Sequence, residues 1–84
     1  MVFLALEPNA AAEAIAIARH TGAAVWVGSD AMTHEQHYAI AADGVNLTRF
    51  AYPLSWVEGE VVAEALETVR EHHPGETVWV QHAS

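Results

Sequence analysis

Apolar and polar positions alternate along this chain in two distinct rhythms. Val2 to Leu6 is a short apolar run closed by Glu7-Pro8-Asn9, the punctuation of a strand end. Asn9 is a suitable N-cap for the alanine-rich stretch Ala10 to His20, in which Ile15, Ile17 and the alanines form a broad apolar face and Thr21-Gly22 is the stop. Ala23 to Val27 is a β-prone run ending at Gly28-Ser29-Asp30, close enough behind the helix to complete a strand-helix-strand unit. Ser29 to Gln36 is polar and without periodicity, which predicts a loop.

Asp43-Gly44 is a strong hairpin signal, because a type I′ turn needs positive φ at both central positions. Pairing outward sets Ala42 opposite Val45, Ile40 opposite Leu47 and Tyr38 opposite Arg49, with Ile40, Val45 and Leu47 turned to the core. Pro53 ends the second strand of that hairpin. Ser55-Trp56-Val57-Glu58 fits the capping-box pattern and predicts a second helix from Trp56 to His72. Val61, Val62, Ala65, Leu66 and Val69 line one side of it, and Glu60, Glu64, Glu67 and Glu71 form an acidic stripe on the other. His73-Pro74-Gly75 stops the helix, and Thr77 to Gln81 is the closing strand.

The two helix exits resemble each other. His20-Thr21-Gly22-Ala23-Ala24-Val25-Trp26-Val27 and His73-Pro74-Gly75-Glu76-Thr77-Val78-Trp79-Val80 agree at five of eight positions without a gap. Two such halves resemble the paired strand-helix-strand units of a ferredoxin-like sandwich. The expectation is an α+β two-layer α/β sandwich over residues 1–84, ordered β-α-β-β-β-α-β. It is ferredoxin-like with an extra hairpin strand, and two helices cover one face of a mainly antiparallel sheet. A different order of the same five strands is the alternative. With the valines of each exit facing the helices, Trp26 and Trp79 fall together on the uncovered sheet face as a partner or dimer surface; the equal alternative is that their rings curl over the sheet edge or fill the core.

Composition narrows the functional classes. The formal charge is −8, lysine is absent, and the basic residues are Arg19, Arg49 and Arg70. Such a chain has little with which to neutralise phosphates, so neither nucleic acid nor an anionic membrane is an expected partner. Cysteine is absent, which removes disulfides, thiolate metal sites and thiol nucleophiles. The opening apolar run has no basic residues before it and is cut by Glu7-Pro8, and no stretch is long enough to span a bilayer, so a cytoplasmic protein is expected.

Six histidines are present, and Asp30, His34, Glu35 and His37 lie close together. Imidazole and carboxylate suit zinc or nickel, which makes Asp30, His34 and His37 the candidate metal ligands. His-Glu-Gln-His is one residue short of the zinc-protease spacing, and a solvated loop is the favoured explanation of the cluster. His20 and His72-His73 stand at helix ends, where the macrodipole favours positive charge. Ser29 and Ser55 lack a nucleophile-elbow context, the glycines are scattered, and no catalytic residue or cofactor is assigned.

The leading expectation is a non-catalytic protein-interaction module, binding a basic protein or a second copy of itself. Its candidate partner-binding residues are Trp26, Trp79, Glu60, Glu64, Glu67 and Glu71. A dimeric small enzyme or ligand-binding protein, with a pocket formed between two sheets, is the second reading. A weak metal binder is the third.

Overall fold

The computed structural model describes residues 1–55 and 57–81. Its elements are β1 (Val2–Ala5), α1 (Pro8–Thr21), β2 (Ala24–Val27), α2 (His34–Ala42), β3 (Leu47–Arg49), α3 (Gly59–His72) and β4 (Val78–Gln81). The four strands form one sheet in the order β3-β2-β1-β4, and every pair is parallel. This overturns the ferredoxin-like expectation of a mainly antiparallel sheet with a hairpin and two helices on one face. The physical reason lies in β1 and β2, whose side chains are buried on both faces. Continuous apolar runs of this kind belong to parallel strands covered on both sides, whereas a sheet with a wet face needs alternation.

Parallel neighbours require crossovers, and these are almost always right-handed. The chain moves outward from β1 to β2 to β3, which sets α1 and α2 on one face, and α3 then returns over the other face to place β4 beside β1. The two core clusters follow that division. Phe3, Ala5, Val25, Val27 and Leu47 pack with Ala10, Ala11, Ala14, Ile15 and Ala18 of α1. Val2, Leu4, Ala24 and Trp26 pack with Ala65 and Val69 of α3, and with Phe50 and Leu54.

The expected hairpin is replaced by α2. Thr33 caps it: its hydroxyl accepts from the Gln36 amide at 3.1 Å, while the Gln36 side-chain oxygen accepts from the Thr33 amide at 2.9 Å. The capping box expected at Ser55 does not form. The Ser55 hydroxyl instead donates to the Leu6 carbonyl at 3.0 Å, and α3 begins at Gly59 with Glu58 at the N-cap and no side-chain cap bond. The expected start at Trp56 lies outside the described residues. Asp43-Gly44 does use positive φ, at Gly44 (φ 95°), but as the stop of α2, where the Gly44 amide donates to the Ala41 carbonyl.

The repeated exits keep their internal logic and lose their common face. Val25 and Val27 face α1, while Val78 packs into the α3 cluster, so each tryptophan points away from the helix that precedes it. Because α1 and α3 lie on opposite faces, so do the tryptophans. The register states the same thing: Ala24 and Val78 both lie beside Val2, so Trp26 is level with Leu4 and Trp79 with Phe3. That one-residue stagger flips the side chains between faces.

Leu4 is fully buried in the central strand, so Leu4→Ala is expected to lower unfolding free energy by about 2–5 kcal/mol. Tyr38→Ala on α2, at a residue 76% exposed, is expected to change it by less than about 0.5 kcal/mol. Urea denaturation of both variants checks the contrast.

Candidate functional site

In a parallel α/β sheet the loops leaving the carboxyl ends of the strands are the usual place for a ligand. Here the described residues of those loops are 6–7, 28–33, 50–55 and 57–58. Their polar groups are turned on one another. The Asp30 carboxylate accepts from the Leu54 amide at 3.1 Å and the Ser55 amide at 3.2 Å, and the Ser29 amide donates to the Tyr52 carbonyl at 3.0 Å. Partial burial alone would raise the Asp30 pKa; the hydrogen bonds from Leu54 and Ser55 outweigh it and hold the carboxyl below its ordinary value.

Arg49 closes the same cluster from β3. Its Nε donates to the Met32 carbonyl at 3.0 Å, one terminal nitrogen donates to the Ser29 carbonyl at 2.7 Å, and the other meets His34 Nε2 at 3.2 Å. His37 Nε2 donates to the Leu47 carbonyl at 2.9 Å. The three metal candidates are thus each engaged separately: Asp30 with loop amides, His34 with Arg49, and His37 with a strand carbonyl. Among the described residues no group of three His, Asp or Glu side chains is placed to hold a metal ion.

Gly28 makes the tight loop contact possible. A Cβ there would lie 2.7 Å from the Leu54 nitrogen and 2.8 Å from Asp30 Oδ1, inside the hydrogen bond that joins the two loops. The first turn of α1, which opens beside β1, has Glu7 at its N-cap and Pro8 at its first position, a negative side chain and a missing amide where an anion site needs donors. An open groove of about 320 Å³ between α1 and α2 is lined mainly by Ala11, Ile15, Met32 and Ile40, with Gln36 as its polar contribution.

The two tryptophans differ sharply. Trp26 is 7% exposed; its ring packs 5.3 Å from Phe50 and 5.2 Å from His72, and its Nε1–H donates to His73 Nε2 at 3.1 Å. That bond requires the His73 proton on Nδ1, which donates to Glu76 at 2.9 Å, and the other oxygen of Glu76 takes the Met1 ammonium at 3.2 Å. The Met1 ammonium, first, and His73 hold the Glu76 carboxyl below its usual value. Trp26 is therefore a core and tethering residue, and its expected place on an exposed partner face is corrected. Its face of the sheet is covered by α3.

Trp79 is 54% exposed on β4, and Val80, on the opposite face of the same strand, is 38% exposed. β4 is the outer strand of the sheet among the described residues, so one row of its backbone amides and carbonyls is unpaired there. Ile17 of α1 is a further 39% exposed apolar residue. It belongs to the flank of α1 away from α2, since Ala11, Ala12 and Ile15 line the α1/α2 groove and α1 touches β4. Glu60, Glu64, Glu67 and Glu71 are exposed on α3 and make no ion pair among the described residues.

The sequence reasoning that grouped Trp26 with Trp79 missed this edge. The signal was Val78-Trp79-Val80, apolar at three consecutive positions in a strand with a helix on only part of either face. No family model, curated protein or solved structure matches the chain. No helix among the described residues is long and apolar enough to cross a membrane.

Gly28→Ala is expected to cost about 1–3 kcal/mol, because the methyl group displaces the Leu54–Asp30 hydrogen bond. Asp30→Asn is expected to be less stable than the parent at neutral pH. Since the folded-state pKa of Asp30 is depressed, that gap is present above the ordinary carboxylate pKa and closes as pH falls through the folded value. Urea midpoints measured from neutral to acid pH decide this, and a gap that widens on acidification contradicts it.

Proposed function

We propose that this protein is a non-catalytic interaction module that works through the open β4 edge, in a cytoplasmic setting, by adding a strand of another polypeptide to its sheet. The observation that carries the reading is the edge strand, unpaired on its outer side among the described residues, with Trp79 54% and Val80 38% exposed on its two faces. Strand addition uses main-chain hydrogen bonds for affinity and alternate side chains for specificity, and β4 offers both. Natural edge strands are usually blunted by charge, proline or cover; Val78 to Gln81 contains neither a charge nor a proline. The polar groups of the carboxyl-end loops, by contrast, are occupied by one another.

A basic protein partner is the second reading, favoured by the exposed stripe of Glu60, Glu64, Glu67 and Glu71 on α3. Attraction of that kind speeds encounter and fades with salt.

A photo-crosslinking side chain placed at position 79 tests the proposal, with the same group at Tyr38 as control, since Tyr38 is the more exposed aromatic at 76%. Protein adducts are expected at position 79 and not at position 38. Adducts at position 38 alone, or equal at both, overturn the proposal.

A further inference from the structure

We infer that the strand received by β4 is β4 of a second copy of this chain, joined antiparallel about a two-fold axis through Trp79. This rests on the reading of β4 as a docking edge and names its occupant.

Four features bring it to a second copy. First, the edge is a surface at which two acidic molecules can meet without opposing like charges. Each copy carries a formal charge of −8, yet Thr77 to Gln81 is uncharged. Second, four of the six exposed large apolar side chains among the described residues gather around it, Tyr38 and Tyr52 lying elsewhere. Trp79 and Ile17 border the edge on the α1 side and Val80 on the α3 side, and Met1 is exposed at the start of the adjoining strand.

Third, the strand is complementary to itself. With Trp79 opposite its own copy, Val80 falls opposite Val78 and Gln81 opposite Thr77, and directly opposed residues in an antiparallel pair share a face. The tryptophans then stack on the α1 side and the valines meet on the α3 side. The result is a continuous eight-stranded sheet, twice the four strands of one copy, with both unpaired inner edges removed.

Fourth, the charges at the flank suit a two-fold. Arg19 pairs with Asp43 at 3.6 Å, and Arg49 is held by the carbonyls of Ser29 and Met32. Arg70 alone among the three arginines has neither kind of partner among the described residues. Val61 and Glu64 line a groove with Tyr52 and Pro53 on the other side of α3, so the row Val62, Leu66, Arg70 lies on the flank nearer β4. Glu67 and Glu71 border Arg70 on the outer face of α3, turned away from the sheet. A two-fold brings the two flanks together in reversed order and sets each Arg70, a cation at the edge of the contact, towards an α3 whose outer face is acidic.

A standard interface removes about 800 Å² from each partner. On a molecule of 5085 Å² that takes the β4 edge together with its two helical flanks, and the strand alone does not suffice. The inferred contact therefore includes Ile17 of α1 and Leu66 and Arg70 of α3.

Analytical ultracentrifugation of the tag-free chain up to about 100 μM is expected to show a concentration-dependent dimer. Trp79→Glu is expected to leave a monomer. Arg70→Glu, at an exposed helical position, is expected to weaken the dimer by about tenfold or more. Far-UV circular dichroism of both variants must match the parent, and Arg70→Glu keeps the test decisive if Trp79→Glu unfolds. A monomer throughout that range, or a dimer indifferent to both substitutions, overturns the inference. Monomeric protein that still forms adducts to another protein at position 79 overturns the second copy as occupant while leaving the docking edge in place.

Discussion

β1 has no face left for water, and the rest of the architecture follows from that. Val2 and Leu4 are buried beneath α3, and Phe3 and Ala5 beneath α1. A strand buried on both sides needs a helical layer on each, and a chain of this length supplies the layers as crossovers between parallel strands. The outward walk from β1 to β3 uses one face, and the return to β4 uses the other. The stagger that sets Val78, rather than Thr77, level with Ala24 then sends the two tryptophans apart.

That parting gives the tryptophans different work. Trp26 sits on β2, with β1 and β3 on either side, and its indole is tied through His73 and Glu76 to the amino terminus. Exposed partners of this kind contribute modestly, so the tether positions the end of α3 more than it stabilises the fold. Trp79 occupies the corresponding place on β4, beside β1 but with nothing beyond it among the described residues. A pseudo-two-fold axis along β1 relates α1-β2 to α3-β4, and β3 has no counterpart beyond β4. That position, beyond β4, is the one at which the proposed function adds a strand.

Much of this was legible in the sequence. The first helix, expected over Ala10 to His20, spans Pro8–Thr21, and β2 and β4 fall within their expected runs. Failure was concentrated between Ser29 and Glu58. His34–Ala42 has almost no helical amphipathicity and alternates well enough to pass for a strand, so Asp43-Gly44 reads as its turn. Thr33-His34-Glu35-Gln36 carried the correct capping-box signal, and Ser55-x-x-Glu58 carried the same pattern without the helix start. Four-residue patterns do not say which hydroxyl is free to cap; Ser55 is committed to the Leu6 carbonyl by the long-range fold. Of the candidate residues, Trp79 and Glu60, Glu64, Glu67 and Glu71 are exposed as expected of surface positions, whereas burial of Trp26 depends on which face α3 covers. That choice is topological and leaves no mark at the tryptophan itself.

The central claim is that Trp26 and Trp79 lie on opposite faces of one parallel sheet. Nuclear Overhauser spectroscopy on the isotopically labelled chain tests it most directly. The account predicts contacts from the Trp26 ring to Phe50, His72 and His73, and contacts from the Trp79 ring to side chains of α1 and none to α3. Contacts from Trp79 to Val62 or Leu66, or strand-to-strand contacts joining Ile40 to Leu47 as a hairpin, contradict it.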